Sequence, residues 1–236
     1  MNGLLKLAKD YIIYIRYLPH VLDVLRSAYT NWPHVIISIM LKGTAVGRAK
    51  DGSSWYGGLY DLFYYAKLTT YTGCKVLAAT KDYVKLHCKD DHINAQVMIY
   101  GWRNTDLFRA ITDYMVILGP KIKGKAVLDV GAFIGDSSIL FAAMGARRVV
   151  AVEPSPWAFN MARRNVEVNG LSGVITLVNC AVAREDGKVL MLPSSEIDSG
   201  FRATAIVRGE VPVPTCSLDS LIERYGPFDV MKMDCE

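Results

Sequence analysis

The chain has 236 residues, 51% of them hydrophobic, which excludes a disordered segment and allows one sizeable core with a smaller second unit. Its net charge of +4 is uneven: residues 1–50 carry +5, residues 51–125 carry +3 and residues 126–236 carry −4. A basic first half admits phosphates or anionic lipid as partners, and a solvated basic surface is the simpler account.

Five cysteines, an odd number with no C-x-x-C pair, argue against a disulfide framework or a zinc ribbon and point to reduced thiols in a cytoplasmic setting. Lys6, Lys9, Asp10 and Arg16 break up the first apolar residues, so no signal-peptide layout is expected. The longest apolar run, VIISIML at 35–41, is far short of the ~20 residues of a membrane span.

In chain order, Leu4, Leu7, Tyr11, Ile15 and Leu18 recur at helical spacing, and Pro19 ends that pattern. A second apolar helix is expected from Val21 to Tyr29, and Val35–Leu41 fits either a helix or a strand. These greasy N-terminal helices admit peripheral contact with a membrane surface. Residues 43–58, rich in Gly, Ser and charge, read as a loop, and 59–68 as a helix. KVLAAT and YVKLHC flank Lys81-Asp82 as an antiparallel strand pair. Residues 105–118 form a further helix, with Thr105 as its cap and Gly119-Pro120 as its stop.

From there the pattern alternates. Strands are expected at 126–131, 149–153, 175–182 and 229–234, with helices near 136–144, 155–168 and 217–225 and short β pieces at 188–192 and 205–216. Apolar strands alternating with helices imply a parallel sheet with helices on both faces. In such a sheet, ligands bind at the carboxyl ends of the strands. There the stretch VLDVGAFIGD places Gly131 to Gly135 as a turn in which a ligand can approach the backbone. The helix that follows offers N–H groups to a polar ligand. Glu153 ends the next strand, where an acid can accept two hydrogen bonds from a ribose diol. The loop is not the G-x-G-x-x-G of dinucleotide binders, and it carries acids at Asp129 and Asp136. That charge repels a pyrophosphate and suits the sulfonium and ammonium of S-adenosyl-L-methionine (SAM).

The stretch VLDVGAFIGDSSILFAAMGARRVVAVEPSPWAFNMARRNVEVNGL, then NCAVAREDG, TCSLDSLI and FDVMKMDCE, resembles the FkbM family of SAM-dependent methyltransferases over residues 95–236. The resemblance implies a Rossmann-like class I methyltransferase α/β fold and O-methylation of a hydroxyl on a small metabolite, sugar or glycan. It implies that Asp129, Gly131, Ala132, Phe133, Gly135 and Asp136 line the methionine side and that Glu153 takes the ribose. Pro154 and Ser155 would lie near the adenine, flanked by Asn179, Cys180 and Ala181. Lys232, Asp234 and Glu236 would stand at the catalytic mouth, with Asp234 the first candidate base and Glu236 the second. The family continues past this point, so the resemblance implies an incomplete sheet of four strands ordered 3-2-1-4, and a fragment that turns over SAM poorly and tends to dimerise or aggregate. The expected domains are an α-rich cap with a short strand pair over 1–118 and a partial SAM-binding domain over 119–236.

Two other functions compete. NVEVNGL also resembles RNA methyltransferases, but base methylation usually places N-P-P-[YF] or D-P-P after the fourth strand, where this chain reads MDCE; no nucleic-acid partner is expected. The other is a non-catalytic SAM-binding or interaction module. His87 to His92, HCKDDH, gathers metal-ligand types without a second ligand pair and reads as a strand end and charged turn, so no metal is expected. Cys180 and Cys235 read as packed thiols, Tyr56, Tyr60, Tyr64, Tyr65 and Tyr71 as an aromatic helix face, and Ser194–Gly200 as a substrate-side loop.

Overall fold

The computed structural model describes residues 18–80, 82–91, 93–101, 104–193 and 211–234. The chain divides into two compact units, Met1–Gly73 and Cys74–Glu236. The 118/119 boundary expected from sequence lies inside the second unit. The helix expected over 4–18 and the loop expected over Ser194–Gly200 lie outside the described residues, apart from Leu18.

The first unit holds helix α1 (described over 18–28), α2 (Trp32–Lys42), β1 (Ala45–Arg48), β2 (Ser54–Gly57) and α3 (Leu59–Tyr71). The apolar run at 35–41 is helical. Pro33 sits in its first turn, and Gly43, at φ +75°, closes it with its N–H on the Ile39 carbonyl. The expected loop at 43–58 is instead a hairpin in which β1 and β2 pair antiparallel. Asp51 makes the turn: its carboxylate accepts from the Ser53 N–H at 2.9 Å and hydroxyl at 2.6 Å, and Gly52 stands at φ +90°. Asp-Gly is itself a hairpin signal; strands only four residues long, rich in Gly and Ser, hid it. The hairpin lies on Tyr29, whose hydroxyl donates to the Leu62 carbonyl at 2.9 Å. A Cβ on Gly47 would fall 2.5 Å from that ring, so only glycine fits.

The second unit opens with an antiparallel sheet of β3 (Cys74–Ala79), β4 (Tyr83–Lys89) and β5 (Asn94–Tyr100). The strand pair expected from sequence is present, and β5 extends it. Helix α4 (Asn104–Ile122) follows. It runs past Gly119-Pro120, the expected stop, because Ile111, Met115 and Ile122 recur on one buried face and hold its last turn down. Strands β6 (Ala126–Val130), β7 (Arg148–Val152), β8 (Ile175–Val178) and β12 (Val230–Met233) form a parallel sheet ordered β12-β6-β7-β8. This is the 3-2-1-4 order that the family resemblance implies. Helices α5 (Asp136–Ala143), α6 (Pro156–Val168) and α7 (Leu218–Tyr225) connect these strands. Strand β6 is buried at every position, as a central parallel strand covered on both faces must be. Leu128, Val130, Val150 and Val152 pack with Leu221 of α7.

Two expectations fail here. The strand foreseen over 175–182 breaks after Val178. The Asn179 amide donates to the carbonyls of Glu153 at 2.8 Å and Pro154 at 3.2 Å, which turns the chain out of the ladder. Residues Ala181–Val182 (β9) then join a small sheet with β10 (Val189–Leu192) and β11 (Val211–Cys216). The cysteines are also paired, Cys74 with Cys88 and Cys180 with Cys216, which overturns the expectation of unpaired thiols. An odd total says nothing about which residues face each other. Strand register places Cys74 opposite Cys88, and that register is invisible in the count.

Helix α6 attaches to the antiparallel sheet through two asparagines one turn apart. Asn165 accepts from the Tyr100 N–H at 2.7 Å and donates to the Tyr100 carbonyl at 3.0 Å and the Ile134 carbonyl at 2.9 Å. Asn169 does the same to Met98, at 2.8 and 2.7 Å. The two side-chain amides act as a surrogate strand for the free edge of β5. Among the described residues, no helix is long and apolar enough to cross a membrane.

Candidate functional site

The site forms where β6, β7, β8 and β12 end. Asp129 lies in β6, level with Ala151 of β7 and Lys232 of β12. It is fully enclosed. Its Oδ2 accepts from the hydroxyls of Ser137 at 2.6 Å and Ser138 at 2.5 Å, and its Oδ1 faces the Lys232 Nζ at 3.1 Å. The same ammonium donates to the Gly131 carbonyl at 2.7 Å. One buried carboxylate therefore ties together strand β6, the first turn of α5 and the end of β12. Burial alone would lower the Lys232 ammonium; Asp129, with Tyr114 and Asp136, outweighs it and holds the group well above the ordinary lysine value.

The loop after β6 is sharply folded. Gly131 and Gly135 stand at φ +75° and +82°, and Phe133 at φ +49°, in the region that side chains avoid. A Cβ on Gly135 would lie 3.2 Å from that of Ala162 on α6, so the loop can sit this close to the helix only as glycine. The N–H groups of Gly131 and Ala132 both donate to the Val152 carbonyl, at 3.0 and 3.1 Å, locking the turn against β7.

Glu153 follows β7. Its Oε2 accepts from the Phe133 N–H and its Oε1 from the Ser155 N–H, both at 2.8 Å. It is only 6% exposed, and burial raises its carboxyl above the ordinary value while those two bonds and Lys232 pull it back. Asp136 opens α5, half-buried, and burial pushes its carboxyl up to about 6 against the pull of Lys232. Across the mouth, Asp234 is exposed at the end of β12, and its Oδ2 accepts from the Tyr114 hydroxyl of α4 at 3.1 Å. The Tyr114 ring lies 5.6 Å from the Lys232 Nζ, and burial raises its phenol well above the usual value. Among the described residues, no three His, Cys, Asp or Glu side chains cluster as metal ligands.

Residues 129–236 match the model of the methyltransferase FkbM domain. This part of the chain is an FkbM-type methyltransferase domain. Two curated relatives are similar over shorter stretches. Ribosomal RNA large subunit methyltransferase K/L of Shewanella frigidimarina is 37% identical over 73 residues, 31% of this chain and 10% of that protein. Protein arginine N-methyltransferase 1.1 of Arabidopsis thaliana is 41% identical over 97 residues, 39% of this chain and 23% of that protein. The chain thus spans less than a quarter of the length of either relative. Among solved structures, the Trypanosoma brucei PRMT1 enzyme-prozyme heterotetrameric complex with AdoHcy is 42% identical over 24% of this chain and 18% of that chain, with a TM-score of 0.23.

The FkbM-type domain brings most of the residues singled out in its sequence to one end of its sheet, in distinct positions. Asp129 lies beneath the loop rather than on its surface. Ser155 is buried and caps α6, accepting from the Ala158 N–H at 3.3 Å. Asn179 shapes the β8 end. Cys180 is bonded to Cys216 and packs in the core with Val130 and Leu221, and Ala181 is buried in β9. Glu236 and Cys235 lie outside the described residues. Sequence reasoning missed three contributors. Ser137 and Ser138 carried a signal, two hydroxyls at a helix start just past a buried acid. Tyr114 carried none: it lies upstream of the family match, 120 residues from Asp234.

Proposed function

We infer that this domain binds SAM between the Gly131–Asp136 loop and Glu153 and transfers its methyl group to a hydroxyl of a small metabolite, sugar or glycan. One observation carries the reading: the Glu153 carboxylate, held edge-on by one backbone N–H at each oxygen. A carboxylate offers about four lone-pair sites, so each oxygen keeps capacity for one hydroxyl of a ribose diol. The start of α5 supports a cationic ligand over a pyrophosphate. Asp136 already places a carboxyl there, hydrogen-bonded to the Ser137 backbone, where a phosphate would otherwise sit.

Bound SAM supplies an activated methyl group on a sulfonium, so the protein must align an acceptor oxygen and receive its proton. Asp234 is the proposed proton acceptor, with the Tyr114 hydroxyl fixing one of its oxygens. Lys232, foreseen at the catalytic mouth, is committed to Asp129 and the Gly131 carbonyl and serves the loop instead. The relatives are named for acting on ribosomal RNA, protein arginine and ribosomal protein L11. Three different acceptors among similar stretches mean that the shared stretches do not select the acceptor.

Calorimetry with SAM, its demethylated product and NAD tests the donor. Binding of the first two without NAD supports the reading; NAD binding, or no SAM binding, overturns it. A panel of hydroxylated sugars and metabolites with methyl-labelled SAM, read by mass spectrometry, tests the acceptor. Label appearing only on RNA or protein would replace the hydroxyl assignment while leaving SAM binding intact.

A further inference from the structure

The first unit carries an apolar surface that the methyltransferase reading does not use. Helix α2 has ten residues besides Val35, and none of the ten is buried. Ile37, Met40 and Leu41, spaced i, i+3, i+4, form a stripe exposed by 55%, 80% and 77%. The stripe continues onto the hairpin. Past the Gly43 cap, Thr44 accepts a hydrogen bond from the Tyr56 hydroxyl at 3.1 Å, and Tyr56 pairs directly with Val46 across the strands. Both lie on the hairpin's outer face, 71% and 46% exposed. Gly47, between Val46 and Arg48, turns instead toward the Tyr29 core. Arg48, two residues from Val46, shares the outer face.

Charge decides what covers this surface. Residues 24–50 contain four Lys/Arg and no Asp/Glu. Lys42 and Arg48 flank the stripe and are exposed. Apolar side chains in a helix and hairpin, flanked by the exposed cations Lys42 and Arg48 and by a tyrosine whose ring is apolar and whose tip is polar, with Asp51 confined to the hairpin turn, match the interface of an anionic bilayer. We propose that α2 and the outer face of the β1–β2 hairpin dock the chain onto an anionic lipid surface, with Ile37, Met40, Leu41 and Val46 entering the acyl boundary, Tyr56 at headgroup level and Lys42 and Arg48 on lipid phosphates. The occupant is a lipid surface rather than a second copy of the chain, because a second copy would bring the same cations against these.

Vesicle co-sedimentation of the full chain tests this. One set of vesicles is phosphatidylcholine alone; the other mixes phosphatidylcholine with phosphatidylglycerol in equal parts. The chain is expected to sediment with the anionic set, weakly with the neutral set, and less as salt is added. Burial of a Met or Leu side chain implies that Met40→Glu with Leu41→Glu lowers partitioning by roughly tenfold or more. Lys42→Glu with Arg48→Glu, exposed positions that leave the fold alone, should remove the preference for anionic vesicles and keep the weak neutral binding. Failure of the wild-type chain to bind anionic vesicles overturns the proposal, as does binding unchanged in both double variants. A dimer by sedimentation that Met40→Glu with Leu41→Glu dissociates, without vesicle binding, would assign the surface to a second copy. A large loss of melting temperature in that variant, again without vesicle binding by the wild type, would assign it to another part of this chain.

Discussion

Lys232 and Asp129 form an ion pair in which both side chains are nearly inaccessible, at 7% and 0% exposure, so neither can be removed alone without stranding the other. Lys232→Met should cost about 3–5 kcal/mol in denaturant unfolding, the usual penalty for leaving a buried charge unpaired. Adding Asp129→Asn should restore much of it, because the neutral amide keeps an acceptor for Ser137 and Ser138; a double variant no more stable than the single would argue against this pairing. Glu153 differs, since its remaining lone pairs are proposed to serve a ligand. Glu153→Ala should weaken SAM binding by roughly tenfold or more, on about 1.5–3 kcal/mol for a charged hydrogen bond, and calorimetry giving an unchanged affinity would remove Glu153 from the site. Asp136 supplies a pH dependence. Its carboxyl rises from 3.8 to about 6 in the folded chain, so the folded state holds its proton more tightly than the unfolded one. Its contribution to stability is complete below the unfolded value and is lost as pH rises through about 6. Asp136→Asn should flatten stability across that window, and unfolding midpoints with the same slope in both proteins would contradict the assignment.

At the scale of elements, the strands and helices of the parallel sheet were legible because their apolar runs and glycine turns are local signals. The glycine loop, its two acids and Glu153 could be placed for the same reason. What escaped was set by pairing across distance. Strand β5 is half-exposed along much of its length and does not alternate cleanly, so its residues did not announce a strand. The β1–β2 hairpin was masked by its short, glycine-rich strands. The asparagines of NVEVNG could be read as part of a family motif, yet their task, completing the hydrogen bonds of β5, appears only when α6 lies beside it. Asn165 is fully buried and makes three hydrogen bonds. Asn165→Ala would strand the Tyr100 N–H and two carbonyls, and at about 1–3 kcal/mol for a buried unsatisfied group it should be among the most destabilising single changes in α6. Asn165→Asp keeps the acceptor for the Tyr100 N–H but turns a buried carboxylate oxygen against the Tyr100 and Ile134 carbonyls, and should cost at least as much as Asn165→Ala. Equal unfolding midpoints for Asn165→Ala and the wild type would show that the surrogate strand contributes nothing.

At the scale of the whole molecule, the two units differ in what holds them. The first, Met1–Gly73, contains no cysteine, and its core rests on Tyr29, Tyr65 and the turn at Asp51. Both disulfides lie in the second, closing stretches of 14 and 36 residues. Constraint of the unfolded chain by loops of this size is worth about 3 and about 4 kcal/mol in the chain-entropy account, before any cost in the folded state. The bridges also sit at different places. Cys74–Cys88 clamps the first two strands of the antiparallel sheet, while Cys180–Cys216 joins the chain just past Asn179 to the residue before the Ser217 cap of α7. Bonds of this kind persist in oxidising compartments and inside the cells of hyperthermophiles, so the pairing does not by itself name a compartment. It does predict a unit-specific response. Adding reductant should raise hydrogen exchange in β3, β4 and the β8–β9 segment and lower the unfolding midpoint of the second unit by several degrees, while peptides from residues 18–73 keep their protection. Hydrogen exchange read by mass spectrometry on oxidised and reduced protein resolves the two units in one experiment. Peptide mapping without reductant should recover the 74–88 and 180–216 crosslinks. If those four thiols are instead free to alkylation in the native protein, or if reduction loosens both units alike, then the pairing or the independence of the first unit is wrong.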